Sequence, residues 1–394
     1  MNSVVRKCPV CASKRGDILH TQKFILPERY PLPNSYDIVE CEHCGFVYAD
    51  TSASQKDYDH YYEEFSKYED KVTASGGGDK HYDAQRLERT ASDIEKVISN
   101  KSATILDVGC GNGGLLLALK RKGYNNLFGL DPSATCVTNV KELGIHAVKG
   151  GIFSSKLNQQ FDFIILSHVL EHVYDLQEAM ENVNSWLKVG GILYIEVPDA
   201  QRYADQYIVP YYYFDIEHIN HFDEQSINNL ISSHDLILIN SNAKEFPVSD
   251  SIVYPAFYAF CRKIDYRKAA EKMIISKSNV KESVVRYIAL SRTNDKWPEL
   301  QELSESQEGI IVWGAGSYTQ RLLENSFLGQ CNIIAFIDRD SKKQGLLLKN
   351  IRVHSPDFLK GHQEPIVVCA ALFSDEIVGE IHEMGLQNRI IVLH

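Results

Sequence analysis

Short apolar runs alternate with helix-period segments through the middle of the chain. Thr104-Ile105-Leu106-Asp107-Val108 reads as a buried strand, and Leu115-Leu116-Leu117-Ala118-Leu119-Lys120 as a buried helix stopped by Gly123. Leu127-Phe128-Gly129-Leu130-Asp131 is a second strand, and Phe161 to Val173 opens with a strand at the place of a fourth. Met180, Val183 and Leu187 fall on one helix face. Gly190-Gly191 is expected to end that helix, with Ile192-Leu193-Tyr194-Ile195-Glu196-Val197-Pro198 as the fifth strand. Leu236 to Ile239 and Ala256 to Phe260 add a terminal hairpin. Strands alternating with helices predict βαβ units and a parallel sheet. The pattern restarts at Gly309-Ile310-Ile311-Val312-Trp313 and at Asn332-Ile333-Ile334-Ala335-Phe336-Ile337-Asp338. Four segments follow: a front part to residue 100 with a Tyr-rich, polar second half, a core over 101–262, a helical connector over 263–305 and a last α/β unit over 306–394.

A chain of 394 residues, 44% hydrophobic and 24% charged, has room for two or three soluble domains. A formal charge of −11 argues against general nucleic-acid binding. No apolar run reaches the roughly 20 residues of a membrane span, and the first residues lack the apolar stretch of a secretory signal. Nine cysteines in such a chain point to a reducing, cytoplasmic setting, with some of them used for metal.

Cys8-Pro9-Val10-Cys11 and Cys41-Glu42-His43-Cys44-Gly45 form two knuckles. Each sets two thiolates on one tight turn, and two turns complete a tetrahedral sulfur shell for structural zinc. The alternative is a set of redox or incidental thiols. A closed shell has no open position, so no catalysis is assigned to it.

After the first core strand, Gly109, Gly111 and Gly113 let the backbone approach a ligand closely. Alone this turn is weak evidence, because dinucleotide enzymes have similar ones. Three features favour another ligand: Asp107 precedes the turn, Asp131 ends the second strand where it can accept ribose hydroxyls, and Ser167-His168 ends the fourth. Together these motifs resemble class I S-adenosylmethionine-dependent methyltransferases over about 101–262. The resemblance implies an α/β Rossmann-like core with S-adenosylmethionine as cofactor. It places Gly109, Gly111, Gly113, Ser167 and His168 around the methionine part, Asp131 on the ribose, and Gly151, Ile152 and Phe153 near adenine, with Asp107 also among the cofactor-binding residues. The alternative for Asp131 is a helix N-cap; Glu171 and His172 read mainly as a structural pair near a helix start, with direct catalysis the lesser alternative.

Ligands of open α/β sheets sit beyond the carboxyl ends of the strands. The segment after the fifth strand, Tyr211 to Phe222, is therefore the place for acceptor groups. With the knuckles in front and the α/β unit behind, the whole chain resembles the zinc-containing nucleotide-sugar C-methyltransferases. That family carries an acid-histidine dipeptide here, matched by Glu217-His218, whose histidine removes the proton beside a 4-keto group; the enolate then takes the methyl. Where the family has Tyr-His just before it, this chain has Asp215-Ile216. The resemblance implies a nucleotide-sugar substrate, with Tyr62, Tyr68, Tyr213 and His221 as candidate contacts. The plain alternative for His218 is a cap or core histidine. Asp223 reads as the N-cap of a following helix.

The last unit, with Gly314, Gly316 and then Thr319, imitates a dinucleotide turn without its third glycine. The amides of Gly316 and Ser317 at a helix start are placed to receive a phosphate, or the turn is empty scaffold. The rival functions are an O- or N-methyltransferase acting on another small molecule, and a non-catalytic zinc-anchored binding protein.

Overall fold

The computed structural model describes residues 2–64, 77, 81–153, 157–249, 252–265 and 276–393. Three sheets organise it. The front part contributes β1 (Asn2–Ser3), β2 (Arg15–Lys23), β3 (Ser35–Cys41) and β4 (Val47–Asp50), paired antiparallel in that order. Two helices follow, α1 (Gln55–Glu64) and α2 (His81–Val97).

The core runs β5 (Thr104–Val108), α3 (Gly114–Arg121), β6 (Asn126–Asp131), α4 (Ala134–Glu142), β7 (His146–Lys149), β8 (Phe161–Ser167), α5 (Leu176–Trp186) and β9 (Leu187–Pro198). It continues through β10 (Asn220–His221), α6 (Glu224–Ser232), β11 (Leu236–Pro247) and β12 (Val253–Lys263). Its sheet has the order β11-β12-β9-β8-β5-β6-β7. The strands from β9 to β7 are parallel, and the β11–β12 hairpin is antiparallel. This is the class I methyltransferase order, with the switch point beside β5 as the resemblance implies. The buried stripes of α3 and α5 cover the sheet; Leu115, Leu116 and Leu119 on α3 and Met180 and Val183 on α5 are at most 4% exposed.

One boundary differs from expectation. Helix α5 ends at Trp186, and Leu187 already lies in β9. Phe161 pairs with Leu187 while Phe163 pairs with Ile192, so β9 bulges between them. Gly190 sits in that bulge at φ +80°, a conformation glycine reaches without strain. The two glycines bend a strand rather than end a helix.

The short strand β10 belongs by sequence to the segment after β9, yet it pairs with β4 of the front sheet. Asn220 faces Tyr48 and His221 faces Val47. Asn220 and His221, from the segment after β9, therefore form the edge strand of the front sheet. Beyond the core come α7 (Lys281–Asn294) and α8 (Pro298–Ser306), then β13 (Gly309–Trp313), α9 (Ser317–Asn325), β14 (Asn332–Ile337), β15 (Leu347–Leu348), β16 (Ile351–His354), β17 (Ile366–Val368), α10 (Ser374–Glu383) and β18 (Ile390–Val392). Their sheet, β15-β16-β14-β13-β17-β18, is parallel apart from β15. Among the described residues no helix is long and apolar enough to cross a membrane.

Candidate functional site

Strand β5 delivers its turn at the switch point. Gly109, Gly111 and Gly113 all have positive φ, at +71°, +51° and +82°. A Cβ on Gly109 would stand 2.9 Å from Val169 Cγ2, and one on Gly113 2.8 Å from Val140 Cγ2. A Cβ on Gly111 would meet nothing within 4 Å, so that residue faces open space. The three glycines thus serve two ends: two allow close packing, and the third leaves room.

Asp131 ties this turn to β6. Its Oδ2 accepts the Gly111 amide at 2.8 Å and its Oδ1 accepts the Ser133 amide at 2.9 Å. The cap of α4 is Ser133, whose hydroxyl accepts the Cys136 amide at 3.1 Å. Asp131 is therefore not the cap, and its carboxylate stands beside the glycine turn. Asp107 lies behind it, 3% exposed. Burial, reinforced by the neighbouring Asp131 charge, pushes the Asp107 carboxyl up to about 8 against the pull of Arg86. Ile152 is buried in the core cluster and Phe153 packs against that cluster, with Gly151 just before them. The Ile152 carbonyl is held by Asn182 Nδ2 at 3.0 Å.

At the carboxyl end of β8 the backbone turns sharply through His168, at φ +56°. Its Nδ1 is 3.0 Å from Glu171 Oε1 and its Nε2 is 3.4 Å from Glu196 Oε1. Burial opposes a charge on His168, but these two carboxylates outweigh it and raise its pKa. Glu196 is fully buried on β9, bonded by Lys244 Nζ at 2.7 Å, Tyr194 Oη at 2.5 Å and Ser167 Oγ at 3.3 Å. A buried carboxylate with this many donors stays ionised.

The acceptor side continues from Glu171. His172 Nδ1 is 3.0 Å from the Glu217 carbonyl oxygen. A carbonyl only accepts, so Nδ1 carries the proton and Nε2 presents its lone pair in the neutral ring. The His218 ring lies 4.7 Å from that of His172, centroid to centroid, at 76°. Glu217 is 1% exposed and its Oε2 accepts from Tyr61 Oη at 3.4 Å. His218 is half-buried. Tyr62 stands edge-on to His172, with ring centroids 6.0 Å apart. A polar chain thus runs from Glu196 through His168, Glu171 and His172 to His218.

Two expected contacts fall elsewhere. Tyr213 is fully buried, stacked on Tyr203 at 3.9 Å, with its hydroxyl donating to the Gln206 carbonyl at 2.5 Å. It is core behind the site. His221 is also fully buried, on β10 among Tyr203 and Phe214. Burial, with a further contribution from Arg6, pulls its pKa down to about 3, so it stays neutral and structural. Tyr68 lies outside the described residues. Asp223 caps α6 as expected, in a reciprocal box with Ser226.

The four knuckle sulfurs converge. Cys8 Sγ is 3.6 Å from Cys44 Sγ, and Cys11 Sγ is 3.5 Å from Cys41 Sγ. A tetrahedral zinc shell sets sulfurs about 3.8 Å apart, so this donor set fits zinc closely. Gly45, at φ +71°, would place a Cβ 2.5 Å from the Ser278 carbonyl, which makes glycine obligatory on both counts. Two residues before Cys8, Arg6 enters the interior. Its guanidinium donates to the carbonyls of Ala49, Ile219, Val173 and Tyr174 and to Asn220 Oδ1. Arg6 thus clamps the segments that follow His172 and His218. A lone arginine ahead of a cysteine gives no sign of this in sequence.

In the last unit Ala315 N donates to Asp338 Oδ2 at 2.9 Å, as Gly111 does to Asp131. Thr319 fills the third glycine position and donates its hydroxyl to the Gly314 carbonyl at 2.7 Å. The start of α9 already meets an anion from the core: Ser317 Oγ donates to Asp215 Oδ2 at 2.8 Å. Asp215 therefore ties the segment after β9 to the start of α9.

Residues 81–240 match the family model described as a methyltransferase domain, and 306–392 match the one described as C2185-like, N-terminal. The ubiquinone biosynthesis O-methyltransferase of Chelativorans sp. (strain BNC1) is 32% identical over 101 residues, 23% of this chain and 38% of that protein. Its namesake from Coxiella burnetii (strain RSA 493 / Nine Mile phase I) is 35% identical over 123 residues, 29% of this chain and 52% of that protein. The chain thus spans about half or less of the length of these relatives. Among solved structures, the 1,6-didemethyltoxoflavin-N1-methyltransferase of Burkholderia thailandensis aligns over 58% of this chain and 96% of its own, at 15% identity and a TM-score of 0.41. Residues 81–240 form a methyltransferase domain, by the family model and the strand order together.

Proposed function

We propose that the chain is an S-adenosylmethionine-dependent methyltransferase that methylates a nucleotide-linked 4-keto deoxysugar at carbon. The observation that carries this reading is the placement of His218 at the end of the polar chain that starts where β8 and β9 end. The turn at Gly109, Gly111 and Gly113, with Asp131, would hold the cofactor, its ribose hydroxyls donating to the carboxylate. When bound, S-adenosylmethionine would supply an electrophilic methyl group on a sulfonium sulfur, with a neutral thioether as the leaving group.

The residues of the chain then do three things. His218 removes the proton beside the ketone, and the resulting enolate carbon attacks the methyl, so one C–H bond breaks and one C–C bond forms. Buried Glu217 holds the dipeptide in place through Tyr61, and its carbonyl fixes the tautomer of His172. Tyr62, beside His172, offers a flat wall for a sugar ring. The knuckles would hold structural zinc, whose shell is closed and adds stability rather than chemistry. Through Arg6 and β10 they also set the position of the acceptor loops.

A second reading is O-methyl transfer to another small molecule, supported by the names of the curated relatives. Incubation of each 4-keto substrate in deuterium oxide without cofactor separates the two. The first reading expects wild-type enzyme to exchange the α-proton and His218→Ala not to. Turnover without exchange, with the methyl on oxygen, establishes the second.

A further inference from the structure

Glu171, His172 and His218 each bring one ligand atom to a common point, and these atoms all lie within 4.8 Å of one another. We infer that they form an open site for a first-row transition-metal dication, separate from the four-cysteine shell, and that filling it blocks the base. The Glu217 carbonyl oxygen lies 3.0 Å from His172 Nδ1, which turns Nε2 of that ring toward the Glu171 carboxylate, 3.9 Å from Oε1.

Glu171 supplies an independent observation. It is 1% exposed, and its Oε2 is buried with no hydrogen-bond partner. Such an oxygen calls for a cation or a donor.

The surroundings match those of metal ligands. A ligating histidine usually donates its other nitrogen to a carbonyl, and a ligating carboxylate is itself hydrogen-bonded. His172 does the first, and Glu171 is held by His168 at 3.0 Å. Metal–nitrogen bonds near 2.1 Å set tetrahedral ligands about 3.4 Å apart, so the 3.9 Å pair closes with a small rotation of the His172 ring. Two imidazoles and one carboxylate select zinc or cobalt over magnesium. Three protein ligands leave a position open to water or to a substrate oxygen. A dication bound here occupies a nitrogen of His218, so the metal-loaded form cannot use it to take a proton. Metal binding stands whether or not the sugar reading holds.

The test is a Co2+ titration of the full-length protein with its cysteine shell already filled by zinc, read by equilibrium dialysis and visible absorption. The expected result is a second metal equivalent, d–d bands without a thiolate charge-transfer band, and binding weakened by roughly tenfold or more in His172→Ala and in His218→Gln. Glu171→Gln should behave likewise; the two histidine variants, at half-buried positions, serve if it fails to fold. No second equivalent, a thiolate band showing that cobalt has only displaced zinc, or unchanged affinity in the folded variants would each overturn the assignment. Methyl transfer assayed in parallel on metal-free and Zn2+-loaded samples reports on the block separately.

Discussion

Replacing Arg6 by methionine keeps the length of the side chain and removes five hydrogen bonds to the acceptor loops and their neighbours. Their cost is unequal. The Val173 carbonyl also accepts from Asn220 Nδ2 at 2.7 Å, and the Ile219 carbonyl accepts from the Ala49 amide at 2.9 Å, so both keep a donor. The buried Ala49 carbonyl and Asn220 Oδ1 lose the guanidinium that satisfies them, while the part-buried Tyr174 carbonyl can turn to water. A buried acceptor left unsatisfied costs about 1–3 kcal/mol, which gives about 2–6 kcal/mol for the pair. Arg6 is 3% exposed, so removing it also relieves the desolvation of a buried charge. Its guanidinium lies 4.7 Å from the Tyr174 ring centroid, and that contact is lost too. A net loss of about 3 kcal/mol follows, near the middle of this range. Urea unfolding of wild type, Arg6→Met and Arg6→Lys measures it, with Arg6→Lys expected between the other two. A loss under about 1 kcal/mol in Arg6→Met, in the range of ordinary surface changes, would refute the clamp.

Three further outcomes are expected. Asp131→Ala should weaken S-adenosylmethionine binding by roughly ten- to a hundredfold, the loss of one or two charge-assisted hydrogen bonds, as measured by calorimetry; unchanged affinity would remove Asp131 from the ribose. Asp107, with a folded pKa of about 8, keeps its proton over a window in which the unfolded chain, with a pKa of about 4, has lost it. The folded state then binds more protons, so this group makes stability fall as pH rises between about 4 and about 8, and Asp107→Asn should flatten the slope of urea midpoint against pH. Chelating a metal from the proposed four-cysteine site should lower the melting temperature and loosen the segment after β9 first, visible as faster amide exchange at Ile219 and Asn220 than at Ile164 on β8; equal changes at both would separate the knuckles from that segment.

The local patterns were legible in the sequence, and the non-local pairings were not. Alternating apolar runs located β5, β6, β8 and the hairpin, because each forms from its own residues. The end of α5 is not legible because Leu187 fits the helix face by spacing, while the structure puts it in a bulged strand. Tyr213 and His221 read as acceptor contacts because polar aromatics near a strand end look functional. Their burial depends on α7 and the front sheet, which pack against them from distant parts of the sequence. Nothing in the sequence around His172 marks it as more than structural, since only the fold brings the Glu217 carbonyl to its Nδ1. Asp215-Ile216 stood out as a departure from the family pattern, and its partner Ser317 lies in another domain.

The proposed function turns on carbon methylation of the sugar with His218 as the base. S-adenosylmethionine carrying a 13C-labelled methyl, incubated with the enzyme and a panel of 4-keto nucleotide-linked deoxysugars, tests it by carbon NMR of the product. The account predicts a labelled methyl bonded to ring carbon next to the former ketone, and no such product from His218→Ala. A labelled methyl on oxygen, or equal carbon methylation by His218→Ala, would contradict it.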